Sequence, residues 1–350
     1  MSAADVAEGL PRVLAIVGPT ASGKSRLGVW LAERLGWPVL CCDSVQVYRG
    51  LDIGSAKAGP ELRARVPHHL LDLVDPDEEF NAGDYAAAAL AQLARGPGVF
   101  VGGTGFYLRA AAWTYSGDVE PEGQDQAEQA RRGVAADQAF TAGWEARERE
   151  APGSVHAELS RVDPITAAAI HPRNVVRSLR ALWLCELSGR PISEVRAADP
   201  PRPRLRLGLI VLEPEVTALD RAIDERCAAM LRAGLVAEVE MLRRGGYDAR
   251  HKSMRSLGYR QILSHLDGHI SLDAAAAEIS LATRQYARRQ RTYFRGQLGQ
   301  LSHGPSGHDG VALRVTVTAP LWDPGVDLTR EAASWWPEVE AFLRRDDGGA

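Results

Sequence analysis

The hydrophobic residues of this chain form short apolar runs that alternate with helical patterns. Residues 12–17, RVLAIV, form an apolar run of β-forming residues and predict a strand. From Leu27 to Leu35, apolar residues recur at the spacing of one helix face, which predicts a helix after that strand. The next apolar runs, PVLCC and GVFVGG, are followed by Asp43 and Thr104 and enclose a helical pattern, FNAGDYAAAALAQLA. This alternation predicts a parallel sheet with helices on both faces.

The pattern changes after about residue 117. Residues 118–150 are rich in Ala, Gln, Glu and Arg, further helical patterns follow, and the proline-rich stretch ADPPRPRL ends this part of the chain. A strand-like run, LRLGLIVLE, begins at Leu205, and the residues after Ser302 hold another, VALRVTV, and a final helix. We therefore predict a discontinuous catalytic core over 10–117 and 203–320, a helical insertion domain over 118–202, and a C-terminal extension over 321–350.

A phosphate-binding motif lies between the first predicted strand and helix. It has the form G-x-x-x-x-G-K-S and consists of Gly18, Pro19, Thr20, Ala21, Ser22, Gly23, Lys24 and Ser25. The glycines let backbone amides bend around phosphate oxygens, Lys24 adds a positive charge, and the Ser25 hydroxyl is a ligand for Mg²⁺. The alternative, a glycine-rich turn without function, is disfavoured by the strand–loop–helix context. The motif predicts an α/β fold with a P-loop NTPase-like core, whose parallel sheet is flanked by helices, plus the helical insertion domain.

The acidic residue near this loop is not where a nucleotide-hydrolysing enzyme usually has it. Such enzymes place a metal-binding carboxylate at the end of a later apolar strand, and here that strand ends GVFVGGT without an acid. Asp43 instead follows the second strand. Because the carboxyl ends of strands line the ligand crevice of an open α/β sheet, we expect Asp43 beside the phosphate loop. A turn or helix-cap residue is the alternative at this position.

Composition and charge exclude several classes of protein. The chain has 350 residues and a net charge of −4 at pH 7, so any nucleic-acid binding depends on local basic patches. The four cysteines show no zinc-binding spacing, which together with their apolar context indicates reduced thiols and a cytoplasmic protein. No apolar run is long enough to cross a membrane, and the first residues do not have the pattern of a signal peptide.

One arginine falls on the apolar face of a predicted helix. In LDRAIDERCAAML, one helical face is shared by Leu219, Ile223, Arg226 and Met230. A guanidinium on such a face requires an anionic partner, and a bound phosphate is one candidate. The alternatives are an ion pair with a carboxylate, or a side chain whose stem packs while its charged end reaches water.

A basic segment near residue 290 is a candidate RNA surface. The segment RQYARRQRTYFR has no acid, and one helical stripe carries Arg284, Arg288, Arg291 and Arg295. Such a stripe suits an RNA backbone, and its aromatic residues could stack on bases. A solvated face with core aromatics explains the pattern equally well.

Several stretches considered together resemble one family. They are GPTASGKS (18–25), DSVQVYRGLDIGSAK (43–57), PHHLLD (67–72), VGGTGFYL (101–108), SLGYRQI (256–262) and ATRQYARRQRTYFR (282–295). Their order and spacing resemble the tRNA dimethylallyltransferase family over most of residues 12–300. The insertion departs from the family pattern between about 118 and 155, where it is longer and less regular. His68 and His69 match a family stretch, and we interpret them as structural.

The resemblance implies a transfer reaction and not ATP hydrolysis. Such enzymes move a dimethylallyl group from dimethylallyl diphosphate to N6 of the adenosine next to the 3′ side of the anticodon, in tRNAs that read codons beginning with U. The phosphate loop would then hold the diphosphate leaving group with Mg²⁺. The implied partners are a tRNA anticodon stem-loop and dimethylallyl diphosphate, and the implied enzyme is a cytoplasmic monomer that does not bind membranes.

The resemblance also implies roles for particular residues. Asp43 matches the general base, Thr104 matches a threonine that hydrogen-bonds near the reacting groups, and Arg226 matches a diphosphate-binding arginine. The loop from Gly18 to Ser25 would bind the diphosphate. The residues that match tRNA-contacting positions are Asp43, Ser44, Val45, Gln46, Thr104, Val176, Arg177, Arg180, Arg255, Gly258, Tyr259 and Arg260. Gln46 is the candidate for contacting a base edge.

Three alternatives share some of these features. An adenylate isopentenyltransferase would share Lys24, Asp43 and Thr104 but would use AMP as the acceptor, and the insertion and basic patches disfavour it. A small-molecule kinase would turn over ATP, and the strand without an acid argues against it. An RNA-binding module with an inert loop would not depend on Asp43, and the complete set of matched catalytic residues disfavours it.

Overall fold

The secondary structure alternates strands and helices as the sequence predicts. The computed structural model describes residues 10–114, 139–296 and 311–344, so residues 118–138 of the predicted insertion and 345–350 of the predicted extension lie outside the described residues. The strands are β1 (Arg12–Val17), β2 (Val39–Cys42), β3 (His68–His69), β4 (Val99–Gly102), β5 (Arg206–Leu212) and β6 (Val311–Val317). The helices are α1 (Lys24–Leu35), α2 (Pro60–Arg65), α3 (Ala82–Leu93), α4 (Gly105–Ala112), α5 (Ser154–Val162), α6 (Pro164–Ala168), α7 (Val175–Ser188), α8 (Ile192–Ala198), α9 (Val216–Arg232), α10 (Leu235–Arg244), α11 (Tyr259–Leu266), α12 (Leu272–Arg295), α13 (Leu328–Ala332) and α14 (Trp336–Arg344), with a 3₁₀ turn at Ser253–Arg255 and further helical residues over 139–150.

The described strands form one parallel sheet. Their order is β3-β2-β4-β1-β5-β6, and each neighbouring pair is parallel. At the centre, Ile16 on β1 lies between Val101 on β4 and Ile210 on β5. Parallel strands are covered on both faces, which explains why β2 and β4 are buried along their whole length. The sheet confirms the predicted α/β fold.

Helices pack on both faces of this sheet. On one face, α1 and α14 pack through a cluster that includes Leu31 and Val339. On the other face, α3, α4 and α9 to α12 pack through a cluster that includes Tyr85, Ile223 and Ile279. Successive residues of β1 belong to alternate clusters because the side chains of a strand point to opposite faces. None of the helices in the described ranges is long and apolar enough to cross a membrane.

The chain divides into two compact units. Residues 1–113 and 203–350 form the first, which contains the sheet, and residues 114–202 form the second, which corresponds to the predicted insertion. The second unit is helical, and its core includes Val155 and Leu182. Within it, the buried Asp163 carboxylate accepts hydrogen bonds from the Thr166 amide at 3.0 Å and the Ser193 amide at 2.8 Å. These bonds join α6 to α8.

Residues 321–344 of the predicted C-terminal extension pack against the core. Strand β6 pairs with β5 from Leu207 to Leu212 and completes the sheet. After β6, Leu321 and Val339 are completely buried in the same cluster as α1. The sequence alone did not indicate which surface these residues cover, because a short apolar helix after a strand carries no signal for its packing partner.

A buried carboxylate holds the loop that follows β2. Glu238 on α10 accepts hydrogen bonds from the amides of Asp52, Ile53 and Gly54 at 3.2, 2.6 and 3.1 Å. It also accepts a hydrogen bond of 2.7 Å from the Tyr259 hydroxyl. Because an ionised carboxylate has lone pairs for four such bonds, one side chain satisfies all of these donors.

We predict that Glu238→Ala lowers the free energy of unfolding by about 3 kcal/mol, because it leaves buried amides and a buried hydroxyl without an acceptor. Urea denaturation would measure the loss. The matched control is Glu240→Ala on the same helix, whose carboxylate pairs with an exposed Arg244. We expect the control to change stability by less than about 0.5 kcal/mol. Equal losses in the two variants would contradict this role of Glu238.

Candidate active site

Three loops meet at the carboxyl edge of the sheet. The phosphate loop follows β1, Asp43 follows β2, and Thr104 precedes α4 after β4. These three strands are neighbours in a parallel sheet, so their carboxyl ends bring the loops to one place. Gly23 is the N-cap residue of α1 and has a φ of 89°, a left-handed conformation that other residues rarely adopt.

Two adjoining cavities lie at this edge. The Asp43 cavity is lined by polar residues from the three loops and from α9 and α12, among them Thr20, Lys24, Ser25, Asp43, Gln46, Gly103, Arg226, Tyr286 and Gln290. The Trp322 cavity has a volume of about 540 Å³ and is lined by Ala21, Ser22, Gly23, Lys24, Ser25, Arg26, Ala222, Glu225, Arg226, Ala229, Arg232 and Trp322. Lys24, Ser25 and Arg226 line both cavities. Lys24 and Ser25 of the predicted phosphate loop, together with Arg226, therefore lie where the cavities join.

The Lys24 side chain is hydrogen-bonded to the backbone of the phosphate loop. Its Nζ donates a hydrogen bond of 2.6 Å to the Pro19 carbonyl. Loss of hydration and the positive charge of Arg226 lower the pKa of Lys24 to about 7, while the Asp43 carboxylate acts in the opposite direction. A bound anion would favour the charged ammonium, so this environment suits a phosphate group.

Arg226 lies on the apolar face of α9, as the spacing of apolar residues in the sequence predicted. Leu219 and Ile223 on the same face of α9 are buried, and Arg226 itself is half-buried and lines both cavities. Loss of hydration lowers its pKa, and the Asp43 carboxylate opposes that effect. The guanidinium thus faces the ligand cavities, and of the three roles considered for it the geometry fits anion binding.

Asp43 is fixed by a tight turn. Its Oδ1 accepts hydrogen bonds from the amides of Val45 at 2.9 Å and Gln46 at 3.4 Å. The amide of Ser44, the residue directly after Asp43, donates to the Thr104 hydroxyl at 3.1 Å. These bonds hold the carboxylate and the Thr104 side chain in one rigid group at the ends of β2 and β4.

Comparisons with known proteins agree with this geometry. A model described as IPP transferase matches residues 46–297, and a model described as Isopentenyl transferase matches residues 11–66. A tRNA dimethylallyltransferase of Geobacter metallireducens is 45% identical over 81% of this chain and 89% of its own length. The chain belongs to the IPP transferase family. The family resemblance inferred from the sequence is confirmed.

Solved structures of this family have the same fold. The full-length tRNA isopentenylpyrophosphate transferase of Bacillus halodurans matches with a TM-score of 0.62 and 30% identity, over 95% of this chain and 96% of its own. A eukaryotic dimethylallyltransferase, described as acting on tRNA, matches with a TM-score of 0.70 over 95% of this chain and 78% of its own. At 21% identity, the second match shows the fold alone. The P-loop NTPase-like core of this IPP transferase is therefore shared.

Two residues on α12 reach the site: the sequence did not identify Gln290, and it pointed to Tyr286 only as an aromatic residue that could pack or stack on bases. Gln290 accepts a hydrogen bond from the Thr20 amide at 2.8 Å and donates one to the Gly103 carbonyl at 2.9 Å. Tyr286 lines the Asp43 cavity, where burial and Asp43 raise its pKa to about 12 although a hydrogen bond with Thr104 lowers it. Their i, i+4 spacing, which places them on one face of a helix, was the available signal in the sequence. The functional interpretation of this segment instead rested mainly on its arginines.

Three arginines of the α12 stripe are bound within the protein, whereas Arg288 is 68% exposed and lies 3.8 Å from Asp220. Arg284 donates to Asp224 at 2.8 Å, and Arg295 donates to Glu213 at 2.9 Å. Arg291 donates to the Pro214 carbonyl at 2.9 Å. The segment itself has no acid, but the acids of α9 and of the turn before it supply the partners. This arrangement favours a structural role for the stripe over RNA binding.

The residues predicted to contact tRNA occupy different environments. In the first unit, Arg255 and Arg260 are exposed, and Gln46 donates from Nε2 to the Ser55 carbonyl at 3.0 Å. In the second unit, Val176 is 78% exposed, and Arg177 and Arg180 are exposed near the start of α7. Gly258 and Tyr259 are both buried, and their contact with tRNA stays a prediction. The Tyr259 hydroxyl is bound to Glu238, so its side chain supports the loop after β2.

The residues present fit Mg²⁺ bound mainly through a substrate. Ser25 lines both cavities, and its hydroxyl is a suitable hard ligand at the start of α1. Among the described residues, no group of three or more His, Cys, Asp or Glu side chains is arranged to hold a metal ion. Mg²⁺ commonly keeps several waters and binds substrate phosphates with few protein ligands, which this site allows.

We predict that Lys24→Met weakens the binding of inorganic diphosphate in the presence of Mg²⁺ by about tenfold or more, because a charge-assisted contact is lost. Isothermal titration calorimetry would measure the dissociation constant. Lys252→Met is the matched control, since Lys252 is exposed and its ammonium contacts only the Phe80 carbonyl, at 3.2 Å, among the described residues. Unchanged affinity in Lys24→Met would remove Lys24 from the phosphate site.

Proposed function

We propose that this chain is a tRNA dimethylallyltransferase. It transfers the dimethylallyl group from dimethylallyl diphosphate to N6 of the adenosine next to the 3′ side of the anticodon, in tRNAs that read codons beginning with U. The observation that carries the proposal is the Asp43 cavity, where a carboxylate lies beside the cationic phosphate loop and Arg226. The names of the relatives in the same family support it.

The diphosphate side of the reaction depends on stabilising a leaving anion. Lys24 and Arg226 face the position that the phosphate loop prepares for this group, and both lie at the junction of the cavities. Their positive charges stabilise the negative charge that develops as the bond between C1 of the dimethylallyl group and the diphosphate oxygen breaks. The electron pair of that bond leaves with diphosphate.

The acceptor side depends on removing a proton from a weak nucleophile. The lone pair of an adenine amine is delocalised into the ring, so a base near N6 favours attack on C1. Asp43 is the base in this proposal, since its Oδ1 is held by two amides and its carboxylate lines the cavity. As the bond between N6 and C1 forms, the proton of N6 passes to Asp43. Thr104 and the neutral Tyr286 hydroxyl orient the reacting groups beside it.

Ser25 is the residue that would hold Mg²⁺, together with oxygens of the diphosphate. When bound, the ion adds positive charge against the leaving group. The phosphate loop from Gly18 to Ser25 supplies the remaining contacts in this proposal. The amide of Thr20 differs from the others because Gln290 already accepts its hydrogen bond.

We place the anticodon stem-loop against the exposed tRNA-binding candidates, which include Val176, Arg177, Arg180, Arg255 and Arg260. The target adenosine must leave the stack of the loop to reach Asp43, as in other enzymes that modify bases. Gln46 keeps its amide oxygen available for a base edge, since its Nε2 is bound to the backbone. We propose a cytoplasmic monomer, and four free, buried cysteines agree with a reducing compartment.

Acceptor choice tests the proposal. Purified protein receives labelled dimethylallyl diphosphate and Mg²⁺ with unmodified tRNA, AMP or ATP in separate reactions. We expect label only in tRNA, at the adenosine beside the anticodon, and no transfer when EDTA removes Mg²⁺. Label in AMP would indicate an adenylate isopentenyltransferase instead. Consumption of ATP without any transfer would indicate a kinase.

We predict that Asp43→Asn lowers turnover about 100-fold or more while tRNA affinity is retained. Asparagine preserves the acceptor oxygen for the amides of Val45 and Gln46 but cannot take up a proton at neutral pH. Single-turnover assays would measure the rate, and filter binding would measure tRNA affinity. Asp75→Asn is the control, because that side chain is 51% exposed and pairs with Arg49. Wild-type turnover in Asp43→Asn would leave Asp43 with only a structural role.

A further inference from the structure

The segment after β6 packs directly against the phosphate loop. A Cβ atom added to Gly23 would lie 2.5 Å from the carbonyl carbon of Leu321 and 2.6 Å from the nitrogen of Trp322. This close approach, together with the left-handed φ of Gly23, requires glycine at that position. Leu321 is completely buried, so the contact belongs to the core.

Arg26 fixes this segment to the helix that begins at the phosphate loop. Its Nη1 donates hydrogen bonds to the carbonyls of Leu321 at 3.1 Å and Asp323 at 2.6 Å. Its Nη2 donates to the carbonyls of Pro324 at 3.3 Å and Val326 at 2.7 Å. One guanidinium therefore binds carbonyls along six residues of irregular backbone, 321–326.

Trp322 is thereby brought to the ligand site. It is half-buried and lines the Trp322 cavity together with Lys24, Ser25 and Arg226. Asp43 lines only the other cavity, so Trp322 faces the phosphate-binding groups from a separate side. The segment lies beyond residue 297, where the match to the IPP transferase model ends.

We propose that residues 319–326 form an outer wall of the donor site, in which Trp322 contacts the bound diphosphate and Arg26 positions the wall against Gly23. This inference rests on the proposed function and extends it. The indole covers the diphosphate with apolar surface and offers one N–H donor. Excluding water there strengthens the attraction of Lys24 and Arg226 for the diphosphate. Arg26 also lines the Trp322 cavity, but both terminal nitrogens of its guanidinium are bound to carbonyls of 321–326, so its proposed role is to hold the wall and the start of α1.

Binding of inorganic diphosphate with Mg²⁺ tests the wall directly in the full-length protein. We expect Trp322→Ala and Arg26→Ala each to raise the dissociation constant about tenfold, equivalent to about 1.4 kcal/mol. Trp322→Phe keeps an aromatic surface and should recover most of the affinity. Arg330→Ala on the nearby α13 is the control, since that side chain is exposed and lies outside the wall.

Kinetics separate a wall from a general effect on folding. With saturating tRNA, we expect the KM for dimethylallyl diphosphate to rise about tenfold in Trp322→Ala and Arg26→Ala while kcat changes less than about threefold. Equal affinity and KM in these variants and in wild type would overturn the proposal. So would a fall in kcat with KM unchanged.

Intrinsic fluorescence provides a test that uses the wild type and conservative Trp→Phe variants instead of the alanine variants. Diphosphate binding should change the tryptophan emission of the wild type and of the control variant Trp183→Phe. The substituted residue of that control lies in the helical second unit. The emission change should disappear in Trp322→Phe, and its persistence there would overturn the proposal. If the wild type transferred no dimethylallyl group, the proposed function would fail, whereas the diphosphate titrations would still report on the wall.

Discussion

Two half-buried cations beside one carboxylate form the arrangement on which the site depends. Lys24 and Arg226 lose hydration at the junction of the two cavities, and Asp43 offsets only part of that cost. In the proposed reaction, a diphosphate group supplies the missing negative charge. The site is then most stable with its anion bound, and the same charges that favour binding also stabilise the leaving group.

Several hydrogen-bonded side chains keep these charges in place. Gln290 joins the phosphate loop to the end of β4 through the Thr20 amide and the Gly103 carbonyl. Glu238 binds the amides of the loop after β2, and the buried Lys57 ammonium holds the same loop through the Tyr48 carbonyl at 2.8 Å and Asp72 at 2.7 Å. Arg26 holds the segment that packs against Gly23. These hydrogen bonds fix the active-site loops to the sheet and helices, which suits a reaction that needs fixed geometry.

Helix α12 shows why a basic segment is not by itself an RNA surface. One side of it carries Tyr286 and Gln290 into the active site, and another side pairs its arginines with acids of α9 and of residue 213. The local charge of the segment is strongly positive, whereas Arg284 and Arg295 are paired with carboxylates and Arg291 is bound to a carbonyl. Exposed arginines elsewhere, such as Arg255 and Arg260, remain better candidates for phosphate contacts because their surroundings are open.

The sequence by itself determined the alternation of strands and helices, the phosphate loop, the position of Asp43 at a strand end and the apolar face that carries Arg226. These features follow from local periodicity and from the geometry of parallel sheets, which few residues suffice to specify. Only the tertiary structure decided that Gln290 and Tyr286 reach the site, that Tyr259 is buried, that three arginines of the stripe are bound within the protein, and that residues after β6 pack on Gly23. Each of these depends on contacts between segments that are distant in sequence, for example Arg26 with residues 321–326. Such contacts leave no periodic signal in the chain because each side of the contact satisfies its own local pattern.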